Sequence, residues 1–68
     1  MTLRELRDAS FMSQMEVAIA CDVNLTTVSN WERGEQQPRV QQIRKLAEVY
    51  KTTPQAIQES VNETMAKK

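Results

Sequence analysis

The sequence predicts an all-α fold, one compact domain of five short helices, and three observations predict it. Apolar residues recur at intervals of three and four along most of the chain, the spacing that lines up one face of a helix. Helix-start residues, namely Ser13, Asn24 and the pair Thr53–Pro54, stand ahead of three of these stripes. No segment shows convincing strand alternation, and the β-branched residues Thr26, Thr27 and Val28 lie between helix signals.

Taken in order, the first helix spans about Thr2 to Ala9 and carries Leu3 and Leu6 on one stripe. Ser13 followed by Glu16 reads as a capping box, in which each side chain satisfies an amide near the other. The second helix then runs from about Gln14 to Cys21, with Val17, Ala18 and Cys21 inward, and Asp22 and Val23 form a turn. Asn24 caps a third helix over about Leu25 to Arg33, whose inner side is Val28 and Trp31. Gly34 suits the left-handed conformation that ends it. After the polar loop Glu35 to Pro38, a fourth helix over about Arg39 to Lys51 presents Ile43, Leu46, Ala47 and Tyr50. Pro54 fits the first helical position of a fifth helix, which aligns Ile57, Val61 and Met65 and frays at its last residues.

Composition removes most chemistry. A chain of 68 residues has little room for an enzyme cleft. With no histidine there is neither a triad base nor an imidazole ligand, and one cysteine makes neither a disulfide nor a thiolate zinc site. A single glycine excludes a glycine-rich phosphate loop. No catalytic residue, cofactor or metal is expected. The absence of a membrane-spanning apolar run and of an export leader, with a lone Cys21 read as a buried inert thiol, points to the cytoplasm. Met12, Met15 and Met65 read as gap-fillers in the core.

Residues 13–34, SQMEVAIACDVNLTTVSNWERG, carry the functional reading. Two short helices meet at a tight turn, and the second turns Leu25, Thr26, Thr27, Ser29, Asn30 and Arg33 away from its apolar side. Such an arrangement is a helix-turn-helix, whose second helix lies in the DNA major groove. Short polar side chains reach base edges without steric excess: asparagine can pair adenine through two bonds, and an apolar group can touch the thymine methyl. The same residues could equally form a solvated helix face.

The stretches LRELRDA, SQMEVA, TTVSNWERG, Pro38 and IRKLAEVY carry a more specific likeness. Residues 3–57 resemble the Cro/cI-like (XRE-type) helix-turn-helix family of phage repressors and small bacterial regulators. That resemblance implies a lambda-repressor-like five-helix domain and a sequence-specific transcriptional regulator, a repressor of phage or mobile-element type. The same resemblance implies a near-palindromic double-stranded operator as partner, bound as a homodimer. Carried over by position, it directs Leu25, Thr26 and Asn30 to base edges. It sets Gln14 and Thr27 on the sugar-phosphate backbone, gives Gln37 and Arg39 a second phosphate, and pairs Arg7 with Glu32 for structure. This chain has Phe11, Asp22 and Lys51 where the family often has glycine at positive φ, which implies altered turns or stored strain.

The fifth-helix stripe Ile57, Val61 and Met65 is the expected dimer seam. Charge motivates an alternative. The whole chain is neutral, with nine bases and nine acids, and Ser13 to Val40 holds two bases against four acids, a net of −2. Weak non-specific binding with a shallow salt dependence is expected. With the apolar Leu25, this balance admits a protein-interaction module on the same fold, such as an anti-repressor, an antitoxin-like partner or a modulator of another regulator.

Overall fold

Each helix of this chain begins where a side chain takes over an amide that the helix itself leaves unpaired. The computed structural model describes residues 1–67. It contains α1 (Leu3–Ala9), α2 (Gln14–Cys21), α3 (Leu25–Glu32), α4 (Val40–Val49) and α5 (Pro54–Ala66), with no strand among the described residues. Ser13 Oγ accepts from the Glu16 amide at 3.1 Å while Glu16 Oε1 accepts from the Ser13 amide at 2.8 Å. Thr2 and Glu5 form the same reciprocal box at the head of α1, at 3.2 and 2.8 Å. Asn24 Oδ1 accepts from the Thr27 amide at 2.9 Å, and Thr53 Oγ1 from the Ala56 amide at 3.1 Å. At α4 the cap works in reverse: Gln42 Oε1 accepts from the Arg39 amide at 2.8 Å, so Arg39 flanks the helix.

Four helices end identically. A residue in the left-handed region follows the last turn: Phe11 (φ 56°), Asp22 (56°), Gly34 (73°) and Lys51 (55°). Its own amide donates to the carbonyl three residues back, and the next amide to the carbonyl five back. The second bond is Met12 to Arg7 at 3.3 Å, Val23 to Ala18 at 3.0 Å, Glu35 to Asn30 at 2.9 Å and Thr52 to Ala47 at 2.8 Å. This double bond is the Schellman closure, which satisfies the orphan carbonyls of a helix end. Only Gly34 adopts it without steric penalty. At the other three positions the side chain costs about 1–2 kcal/mol against the backbone, and aspartate least because its short polar chain suits the conformation. The strain implied at Phe11, Asp22 and Lys51 is therefore present, and the turns keep the left-handed geometry. Phe11 is 94% exposed, so packing of its ring does not offset the cost.

The core is one cluster of Leu3, Val17, Ala18, Val28, Trp31, Ile43, Leu46, Ala47, Ile57 and Val61. α2 packs on α3 and α4, and α5 closes the bundle against α4 and α1. Two polar residues of α5 join it: Thr64 Oγ1 accepts from the Leu3 amide at 3.0 Å and donates to the Ser60 carbonyl at 2.7 Å. The proposed seam on this helix requires correction. Ile57 and Val61 are 0% and 2% exposed within a single protomer, and Met65 packs against the same core. Ile57 and Val61, already spent on the protomer's own interior, cannot form a subunit contact, whereas Met65 is only partly buried. Between its end residues Pro54 and Ala66, the exposed positions of α5 are Gln55, Gln58, Glu59 and Asn62, all polar. Among the methionines, Met12 and Met65 pack on the core while Met15 is exposed. Cys21 is half-buried, and burial raises its thiol above the ordinary value although Lys45 opposes the shift. A thiol held protonated is a poor nucleophile, in keeping with an inert residue. The carboxyl-terminal end is helical to Ala66, and the Lys67 amide still donates to the Glu63 carbonyl at 3.2 Å; Lys68 lies outside the described residues.

Candidate nucleic-acid interface

The relative aim of α2 and α3 is set by a knot of charge beneath them. Arg7 of α1 donates through Nε to Glu32 Oε2 at 2.6 Å and through Nη2 to Glu32 Oε1 at 3.1 Å. Its Nη1 donates to the Met12 carbonyl at 2.9 Å, which ties the α1–α2 turn to the same guanidinium. Gln14 Nε2 adds a third donor to Glu32 Oε1 at 3.0 Å. The Arg7 and Glu32 side chains are only 13% and 7% exposed. Burial of this pair is tolerable because the carboxylate takes three donors, two of them from a fork that matches its geometry. The bond to Glu32 raises the Arg7 pKa above its ordinary value. The pair Arg7–Glu32 thus joins α1 to α3, and Gln14 brings in α2.

Above the knot, the α2–α3 turn is held by the left-handed Asp22 (φ 56°, ψ 47°). Asn24 then starts α3, whose Val28 and Trp31 are buried. At 3.6 residues per turn the opposite side is Thr26, Asn30 and Arg33, related as i, i+4 and i+7. Leu25 is 40% exposed and Thr26 exposed, both in the first turn. Asn30 is partly exposed, and its Oδ1 accepts from Arg33 Nη2 at 2.6 Å. Ser29 and Arg33 line, with Arg4, Arg7, Gln14 and Glu32, an open depression of about 390 Å³ where α1, α2 and α3 meet.

The remaining sequence-derived positions divide. Thr27 is half-buried and its hydroxyl donates to Asn24 Oδ1 at 2.9 Å, so it completes the cap. Gln14 directs its side-chain amide inward to Glu32. Gln37 and Arg39 are exposed in the segment joining α3 to α4. Sequence reasoning passes over Arg4 and sets Arg33 on the outer face of the helix without giving it a contact. Arg33 is recoverable from its three-residue spacing to Asn30; Arg4 gives no signal, because only tertiary packing brings α1 beside α3.

The fold and this geometry agree with one comparison. The model of the helix-turn-helix domain family matches residues 1–59. The chain belongs to the helix-turn-helix domain family. The matched span covers α1 to α4, the turn and the first part of α5, so it includes the Arg7–Glu32 knot and the outer face of α3. No curated protein and no solved structure matches the chain. As a helix-turn-helix domain it is a DNA-binding module, with no helix among the described residues long and apolar enough to cross a membrane.

Proposed function

We propose that this helix-turn-helix domain is a sequence-specific transcriptional regulator of the Cro/cI-like (XRE) type, a repressor that inserts α3 into the major groove. The observation that carries the reading is the two-sidedness of α3. Its inner side is locked by Val28, Trp31 and the Glu32 knot, and its outer side offers Leu25, Thr26, Asn30 and Arg33 to base edges. Arg4 and Arg39 supply the cations for phosphate, with Gln37 beside Arg39 and the second amide hydrogen of Gln14 available at the head of α2. Thr27 acts through its cap, which fixes the first turn of α3.

Neutralising about two phosphates per protomer, about four for two bound copies, gives a slope of log affinity against log salt of only about −4. Repression then works by occupancy: a bound domain covers the site that transcription needs. Two copies pair on a near-palindromic operator, with recognition helices one helical turn, about 34 Å, apart. The exposed positions Gln55, Gln58, Glu59 and Asn62 of α5 offer no apolar seam, so in this reading the duplex brings the two copies together.

Selection from a pool of duplexes with random cores tests the reading. The expected result is an enriched near-palindrome. Absence of any enriched motif would overturn it and favour the protein-interaction module, for which the exposed Met15, Ile19 and Leu25 on the two motif helices provide apolar contacts.

A further inference from the structure

The Asn30–Arg33 pair is more specific than a generic polar face. Arg33 Nη2 donates to Asn30 Oδ1 at 2.6 Å, the short length of a charge-assisted bond. The backbone beneath the pair is fixed as well: the Asn30 carbonyl accepts from the Glu35 amide at 2.9 Å, and Gly34 closes the helix at φ 73°. We propose that Asn30 and Arg33 form one donor-only reading unit that selects guanine where a solitary asparagine would select adenine. The proposal rests on α3 entering the major groove.

The argument is one of matching donors to acceptors. Adenine presents N7 as acceptor and the N6 amino group as donor. Asparagine matches it only when Nδ2 donates to N7 and Oδ1 accepts from N6. Here Oδ1 already holds a guanidinium N–H. Its second lone pair lies beside a permanent positive charge, which repels the partly positive hydrogens of an amino group. Guanidinium itself brings five donors and no acceptor. What the pair presents outward is therefore the Nδ2 hydrogens of Asn30 and the remaining N–H groups of Arg33.

Guanine is the base whose major-groove edge offers two adjacent acceptors, N7 and O6. Cytosine and adenine would place an amino group against the pair, and thymine offers O4 alone beside its methyl group. Thr26, one turn before Asn30 on the same face, is left to read the neighbouring base pair.

The test uses the full chain and two variants, Arg33→Met and Asn30→Ala, each taken through selection from random-core duplex DNA. Arg33 is exposed, and circular dichroism and a urea melt on each variant establish that the fold is kept. Asn30→Ala identifies the position read, because preference there weakens while its neighbours keep theirs. The unaltered chain should favour guanine over adenine at that position by about tenfold, within the discrimination one good paired contact gives. Arg33→Met frees Oδ1, so the preferred base should change to adenine with the flanking positions unaltered. Adenine selected by the unaltered chain, or guanine retained by Arg33→Met, would overturn the paired reading while an enriched motif upheld DNA recognition. No enriched motif from the unaltered chain would overturn both.

Discussion

Helix α3 carries two arginine contacts of equal length in opposite settings. Beneath it, Arg7 meets Glu32 at 2.6 Å with both side chains almost wholly covered. On its outer side, Arg33 meets Asn30 at 2.6 Å in the open. Length alone therefore says little about what a contact does. The buried pair is shared by three helices and cannot change without moving them, so it sets where α3 points. The outer pair joins α3 only to the residue that follows it and ties in no other helix, so it can engage a ligand.

The largest expected effect breaks the inner contact. Glu32→Ala removes the carboxylate that takes two of the Arg7 bonds and leaves only Asp8, at 3.6 Å, as counter-charge, and urea unfolding should show a loss of about 3 kcal/mol. On the outer side, Asn30→Ala should change stability by less than about 0.5 kcal/mol. The same substitution should weaken binding to the selected duplex by about 1–3 kcal/mol and relax preference at one base pair. If Asn30→Ala weakened binding equally on all duplexes, the contrast between an aiming side and a reading side would fail.

The helix ends sharpen the comparison at lower energy. Gly34→Ala introduces a side chain at the left-handed residue below the reading face and should destabilise by about 1 kcal/mol. Phe11→Gly relieves the same conformation at the α1–α2 turn and should stabilise by up to about 1 kcal/mol, with Asp22→Gly gaining less. Thermal melts of the three variants check this ordering.

The smallest effect concerns pH. The Thr2 backbone amide, and then its hydroxyl, hold the Glu5 carboxylate below its ordinary pKa. A depressed folded value means that this contribution is complete above the unfolded pKa and fades as pH falls through the folded one. Glu5→Gln keeps a capping acceptor and removes the titration. Stability of the variant should accordingly vary less than that of the parent below about pH 4.3, measured by denaturant melts across that range.

Local chemistry makes most of the architecture legible in the sequence. Ser13 with Glu16, Asn24, and Thr53 with Pro54 each mark a helix start, and all three do cap helices. The stripes of α2, α3 and α4 name core residues correctly because a helix stripe must be buried somewhere. Ile57 and Val61 show the limit of that logic. A stripe on the last helix can face its own core or a second subunit, and the spacing is identical in both cases. Tertiary competition explains Phe11 and Lys51, whose side chains disfavour the left-handed region that helix packing imposes. Gln14 illustrates the third limit. Its place at the head of α2 is evident, but its amide turns inward because Glu32 lies within reach only after α1, α2 and α3 assemble. Ser60 and Thr64 give no apolar signal; Thr64 is buried where its hydroxyl accepts from the Leu3 amide and donates to the Ser60 carbonyl, a pairing that sequence spacing does not reveal.

The central claim is that the outer side of α3 meets the duplex while the inner side stays fixed. Titrating ¹⁵N-labelled protein with the selected duplex tests it most directly, residue by residue. The expected outcome is amide shift changes concentrated over Leu25–Arg33 and at Gln37 and Arg39, with the Arg33 and Asn30 side-chain N–H signals moving most. Changes confined to α5, or to the Met15 and Ile19 side of α2, with those side-chain signals unmoved, would contradict the account.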